Sequence, residues 1–343
     1  MSVRIADCTI RDGGYLLNKN SNPSFVKNIL SGLSRAGIDF VEIGFLQTKS
    51  NGETLVYHDS KEACKYLPPD RSTTEFLGFC DNSRYSIDDL DVCDGKSFKW
   101  LRISFGKHEL EDALVFCSSA KAKGYMVQFN PMDAISYTDE EREHLIRKVN
   151  EVEPECVSIV DTFGAMYLDD LRHIFNHIDG LLNKKIQIGL HSHDNLGLSC
   201  AMAEMMADMA YEKGRDIIVD GSLFGMGRGA GNAKTELLAN FMNKKYGGRY
   251  DISILVDTIE KYINPLKKEI PWGYDLPMFI CGVEHSHVDN INYLRDKMKC
   301  SAREMLEIIG RLSIAERIRY GANYSKTDFS VLQRKYDLYR KEN

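Results

Sequence analysis

No run in the 343-residue sequence is long and apolar enough to span a bilayer, which sets aside a helical membrane protein. The opening Val3-Arg4-Ile5-Ala6-Asp7 lacks the charged-then-apolar layout of a secretory signal, and a cytoplasmic protein is expected. The nine cysteines, at positions 8, 64, 80, 93, 117, 156, 200, 281 and 300, are odd in number, scattered and without a Cys-x-x-Cys pair. That spacing argues against a disulfide framework and a zinc knuckle, so reduced, mostly buried thiols are expected. Lysine and arginine form no stripe and the formal charge is −6, so nucleic acid is not an expected partner. With only 8 prolines, 43% hydrophobic and 27% charged residues, the composition excludes a disordered or fibrous chain. Also missing is a Gly-x-Gly-x-x-Gly turn after the first apolar run, which weakens the case for an open doubly wound sheet.

What is present is alternation. Short apolar runs, Val3–Asp7, Phe40–Gly44, Glu75–Cys80, Leu101–Phe105, Tyr125–Phe129, Cys156–Val160, Gln187–His191 and Ile217–Asp220, read as eight strands. Between them Phe25–Leu33, Leu110–Lys123, Glu140–Val152, Asp169–Asp179 and Ser199–Glu212 carry apolar residues at three- and four-residue spacing, as amphipathic helices do. Eightfold strand-helix alternation predicts an α/β fold, a (β/α)8 TIM barrel of roughly 250 residues. The period changes at Tyr246-Gly247-Gly248, beyond which Ile252–Tyr262, Asp289–Lys297, Ala302–Leu312 and Phe329–Tyr339 read as helices without strands. The expected organisation is therefore a catalytic barrel over residues 1–245 and a helical C-terminal domain over 246–343.

In such a barrel the reactive groups stand at the C-terminal ends of the strands. Those ends here carry Asp7, Glu42, Asp161-Thr162, His191-Ser192-His193 and Asp220. Two histidines spaced by two on an extended segment point the same way and can converge on one ion, with Asp7 as the nearby carboxylate. A bare His-x-His pair that only hydrogen-bonds in the barrel mouth is an equal alternative. His285 and His287 form a second such pair, read as packing or partner surface, or as a closure over the barrel mouth. The five glycines between residues 221 and 231 allow tight turns, and also let backbone N–H groups approach a substrate carboxylate or phosphate.

Asp7-Cys8-Thr9-Ile10-Arg11-Asp12-Gly13 resembles the Asp-x-Thr-Leu-Arg-Asp-Gly signature of the metal-dependent TIM-barrel aldolases, lyases and acyl-CoA-dependent synthases. His191-Ser192-His193-Asp194-Asn195-Leu196-Gly197 is similar to their His-x-His block, and Gly225-Met226-Gly227-Arg228-Gly229-Ala230-Gly231-Asn232 to their glycine-rich loop. Within that group, Asp220-Gly221-Ser222-Leu223-Phe224-Gly225-Met226-Gly227 and Asp161-Thr162-Phe163-Gly164-Ala165-Met166 resemble the 4-hydroxy-2-oxovalerate aldolases most.

The resemblance implies a pyruvate-type 2-oxo acid and an aldehyde as substrates, and a divalent cation, Mn²⁺ or Mg²⁺ with Zn²⁺ as the alternative. It implies Asp7, His191 and His193 as metal ligands, with Asn232 as a fourth. Arg11 would stabilise the enolate oxygen, Asp12 would orient Arg11 or relay a proton, Thr162 would donate to the substrate carboxylate, and Glu42 and Gly229 would complete the substrate site. Two departures stand out. The aldolases carry an acid–base histidine where this chain has Tyr15, a poor base at an ordinary phenol pKa of about 10. The catalytic cysteine of hydroxymethylglutaryl-CoA lyase is missing from Leu223 to Asn232, which disfavours that activity. A Claisen-type acyl-CoA synthase is the alternative reaction, and a non-catalytic binding subunit the alternative class. Homo-oligomerisation is expected; the acylating aldehyde dehydrogenase that partners the family's aldolases is left open by Tyr15 and by the divergent tail.

Overall fold

Apolar residues at strand spacing close into parallel β-structure, and the amphipathic segments between them lie outside it. The computed structural model describes residues 2–318 and 329–342. Its strands are β1 (Val3–Asp7), β2 (Phe40–Leu46), β3 (Val56–Tyr57), β4 (Glu75–Asp81), β5 (Trp100–Phe105), β6 (Met126–Pro131), β7 (Cys156–Asp161), β8 (Gln187–Ser192) and β9 (Ile217–Gly221). All pairings are parallel, and β1 pairs with both β9 and β2, so eight strands close into a (β/α)8 barrel. β3, which the sequence pattern does not predict, is a two-residue strand on the outer end of β2. Helices Leu110–Ala122, Asp139–Val152, Leu168–Leu181, Ser199–Lys213 and Thr235–Tyr246 cover the barrel. Local chemistry sets their ends: Thr138 accepts the Glu141 N–H and Glu141 accepts the Thr138 N–H, a reciprocal cap that starts the second of these.

The barrel interior is layered by strand parity. Ala6, Phe40, Leu77, Trp100, Cys156 and Ile218, with Met126, form an apolar floor. Two residues further along their strands stand Glu42, Arg102, Gln128, Ser158 and Asp220, all buried. Parity thus places a charged layer directly above a greasy one, toward the C-terminal mouth.

Beyond Tyr246 the described chain is helical. Tyr250, Leu255, Ile259, Ile263 and Trp272 join the barrel's own apolar core. A second core, containing Met278, Ile280, Ile291, Leu294, Met305, Ile308 and Leu332, begins beyond Trp272. No helix among the described residues is long and apolar enough to cross a membrane.

Candidate active site

The charged layer is a continuous network. Arg102 Nη1 and Nη2 reach Asp220 Oδ2 and Oδ1 at 2.5 and 2.9 Å, and Nη1 reaches Glu42 Oε1 at 2.9 Å. Glu42 Oε2 accepts from Arg11 Nε at 2.7 Å, and Arg11 Nη1 donates to Asp12 Oδ1 at 2.6 Å. At its other end Asp220 Oδ2 lies 2.8 Å from His191 Nδ1. Burial works against charge on Arg11, but Glu42 and Asp12 outweigh it and hold the guanidinium protonated. Its plane also lies over the Phe79 ring, 4.5 Å from the centroid, so the side chain has one orientation. Three carboxylates against two guanidiniums leave this buried layer with one negative charge in excess when the imidazoles are neutral, an arrangement that favours an added cation.

Among the described residues, Asp12, His191 and His193 form the buried group whose ligand atoms lie within 4.8 Å of one another. Asp7, the carboxylate expected there, is elsewhere. Its Oδ1 accepts the Thr9 N–H at 2.8 Å and its Oδ2 the Thr235 hydroxyl at 2.6 Å. The reason is parity: Ala6 faces the barrel interior, so Asp7 faces the helix that begins at Thr235. The short helix Thr9–Asp12 then turns the chain back, and Asp12 arrives beside the imidazoles.

These residues fit a metal. Both imidazoles are anchored through Nδ1, His191 on Asp220 and His193 on the carbonyls of Arg228 and Gly231 at 3.2 and 3.3 Å. With those contacts made, each Nε2 is available to a metal, and His193 Nδ1 also lies 3.8 Å from Asp12 Oδ2. Burial, aided by His191 and Arg228, pushes His193 down to about 4, so its ring is neutral at pH 7. Burial raises Asp12, but Arg11 and the two histidines outweigh it and keep the carboxylate below its ordinary value. Asn232 Nδ2 donates to Asp12 Oδ2 at 2.7 Å, while Asn232 Oδ1 is buried without a hydrogen-bond partner. Gly227 passes so close that a Cβ there would meet Asn232 and Asp12 Oδ2, the latter at 2.5 Å. A second group, Asp139, His173 and His177, lies partly exposed on the outer flank, where Arg142 Nη1 already occupies Asp139 at 2.5 Å.

The remaining expected site residues separate into two sets. Thr162, Gly229 and Tyr15 line a cavity of about 530 Å³ at the barrel mouth. Glu42 does not line it: the side chain is fully buried between Arg11 and Arg102, and acts by holding Arg11. Burial raises the Tyr15 phenol, against opposing pulls from Arg11 and Arg228, so at neutral pH Tyr15 carries its proton. Sequence reading also missed Arg102, a fully buried arginine in an otherwise apolar strand whose charge in that setting was the available signal. It gave Arg228 no role beyond its place in the glycine loop, although Arg228 Nη2 lies 2.9 Å from His287 Nε2, a residue read as packing, partner surface or closure over the mouth. His285 Nε2 meets Asp133 Oδ1 at 2.6 Å, so the second His-x-His pair ties the C-terminal helices over the barrel mouth.

A closed parallel barrel whose mouth gathers two imidazoles, a carboxylate and a tethered guanidinium defines an enzyme class. The chain is a metal-dependent carbon–carbon lyase, and what it is similar to is the TIM-barrel aldolase and lyase superfamily. The HMGL-like family model matches residues 106–260, which include His191, His193 and Asn232 but not the Asp7–Gly14 segment. The chain is 28% identical over 326 residues to a 4-hydroxy-2-oxovalerate aldolase of Thermomicrobium roseum, covering 90% of this chain and 86% of that one. It is 27% identical over 252 residues to an oxaloacetate decarboxylase of Mycobacterium tuberculosis, covering 70% of each. Among solved structures, the N-terminal domain of a protein described as an aldolase, from Bacteroides vulgatus, superposes with a TM-score of 0.73 at 24% identity, covering 86% of this chain and 98% of that one. That likeness shows the fold alone.

Proposed function

We propose that this enzyme makes or breaks a carbon–carbon bond next to the carbonyl of a 2-oxo acid of the pyruvate type, with an aldehyde as the other partner. The observation that carries the reading is the Asp12–His191–His193 group with Arg11 fixed beside it by Glu42 and Asp12. Asp12, His191, His193 and Asn232 would hold the cation, Mn²⁺ or Mg²⁺ with Zn²⁺ as the alternative. Bound there, a divalent cation supplies Lewis-acid polarisation of a 2-oxo acid carbonyl.

The chain's own groups supply the rest. Arg11 cannot swing away or lose its proton, so its positive charge stands where an enolate oxygen develops negative charge. Thr162 Oγ1 accepts the Asp133 N–H at 2.8 Å, which leaves its own O–H to donate to the substrate carboxylate. In the synthetic direction the enolate carbon attacks the aldehyde carbon, a C–C bond forms, and the carbonyl pair moves to oxygen. That oxygen takes one proton, and Tyr15, protonated at neutral pH, is the donor we assign.

Decarboxylation of oxaloacetate is a second reading, favoured by the Mycobacterium tuberculosis relative, and it draws on the same enolate stabilisation. The test is deuterium exchange at the pyruvate methyl group, followed by proton NMR with Mn²⁺ or Mg²⁺ and then with chelator. Exchange that needs metal and drops by about 10²–10³ in Arg11→Ala supports the reading. No exchange with any metal overturns it. Release of CO₂ from oxaloacetate faster than cleavage of any 4-hydroxy-2-oxo acid would favour the decarboxylase.

A further inference from the structure

The cavity outside the metal group is larger than the reaction at its inner end requires, and its wall carries both signs, with Asp81, Glu109, Asp275 and Asp289 beside Arg84, Arg228 and Arg295. Thr162, Arg228 and Gly229 border both this cavity and a small void against His193, so they mark its inner end. Arg84 and His108 border the cavity but not that inner void, and Arg84 also borders a more open surface pocket with Gln47, Thr48 and Tyr85. The cavity's volume of about 530 Å³ falls among sites for drug-sized ligands of roughly 300–1,000 Å³, whereas pyruvate and acetaldehyde hold about nine non-hydrogen atoms between them.

The charges on the outer wall are unequally committed. Glu109 caps the Gly106 N–H at 2.6 Å, Asp275 accepts the Met278 N–H at 2.7 Å, and Asp81 accepts from the Ser83 N–H and hydroxyl at 3.0 and 2.7 Å. Arg84 has only a long contact, Nε to Asp81 Oδ2 at 3.4 Å, and its side chain is 37% exposed. Among the described residues its two Nη atoms make no hydrogen bond. Positive charge also accumulates around it. Burial and then Arg84 push the neighbouring Lys19 ammonium below its ordinary value, against smaller pulls from Glu53 and Asp81.

Resting on the 2-oxo acid reading above, we infer that the acceptor is a multi-carbon aldehyde ending in a carboxylate or phosphate, gripped by the Arg84 guanidinium. The two Nη atoms form a planar fork that meets either oxyanion with parallel N–H···O bonds. The aldehyde end then reaches inward past Arg228, whose guanidinium lies over the Tyr15 ring at 5.7 Å, toward the metal group. A two-carbon apolar aldehyde would leave that fork unused and most of the cavity filled with water.

The experiment measures aldol addition to pyruvate by the metal-loaded full chain. The acceptors are propionaldehyde, glyceraldehyde, succinic semialdehyde and glyceraldehyde 3-phosphate, so neutral, carboxylate and phosphate arms are separate. Pyruvate methyl exchange is run in parallel for every variant as the check on fold and metal site. The inference expects kcat/KM for one anionic acceptor at least about 100-fold above the neutral ones. In Arg84→Ala that ratio falls at least tenfold, through KM rather than kcat, and Arg84→Lys restores part of it. Exchange without any preference for anionic acceptors, or an Arg84→Ala effect equal for neutral and anionic ones, overturns this inference and leaves the 2-oxo acid reading standing. Absence of exchange in the unaltered enzyme overturns both.

Discussion

At the scale of single residues, two aspartates five positions apart, one ending β1 and one ending the short helix after it, have opposite fates. Asp12 meets the imidazoles and is held ionised, while Asp7 is buried against Thr9 and Thr235 and is pushed up to about 7 by that burial. Asp12→Asn is therefore expected to lower Mn²⁺ affinity by at least tenfold, and Asp7→Asn to leave it within about twofold, read by electron paramagnetic resonance of free Mn²⁺. The reverse ranking would return the ligand role to Asp7. The Asp7 shift also has a pH consequence. A carboxyl whose native value lies above its unfolded one favours folding fully below the unfolded value, about 3.8, and loses that contribution as pH rises through about 7. Asp7→Asn, which cannot ionise, should gain stability relative to the parent between pH 5 and pH 8, by up to a few kcal/mol. Urea titrations at the two pH values check this, and a flat difference would show that Asp7 is ionised in the folded protein.

At the scale of elements, the glycine loop after β9 is built around close approach rather than flexibility. Gly231 sits at φ +87° with its would-be Cβ against the Gly225 carbonyl, and Gly227 leaves room for Asn232 and Asp12. Gly227→Ala should displace those two side chains, lower metal affinity at least tenfold and shift the melting temperature by only a few degrees. Isothermal titration with Mn²⁺, paired with thermal melting, distinguishes this from general unfolding. The strands and most helices were legible in the sequence because their apolar spacing is long and regular. Val56–Tyr57 and Leu276–Val283 were not, the first because two residues carry no period and the second because it is apolar nearly all round.

At the scale of the whole molecule, the C-terminal helices are held to the barrel mouth by polar contacts, Arg228 to His287 and Asp133 to His285, around a second apolar core. Leu294 is fully buried in that core. Leu294→Ala is expected to cost about 2–5 kcal/mol locally. Calorimetry should then resolve an early transition for the helices, separate from that of the barrel. A single transition shifted as a whole would mean that the two cores unfold as one. The arrangement lets the outer wall of the mouth cavity come partly from the helical region, through Trp272, His287 and Arg295, while Asp12, His191 and His193 all rest on the barrel.

The sequence by itself determined the barrel, since eight apolar runs alternating with amphipathic segments have few other ways to bury both faces. It also determined that His191 and His193 share a side and that Arg11, Asp12 and Asn232 follow strand ends at the barrel mouth. Which aspartate joins the histidines was decided only in three dimensions, because a one-residue step in strand parity turns Asp7 toward the helices and a single helical turn brings Asp12 inward. The Arg11–Glu42–Arg102–Asp220–His191 chain was likewise a tertiary decision. Its members come from five separate segments whose charges are tolerable inside the barrel only because closure sets them against one another.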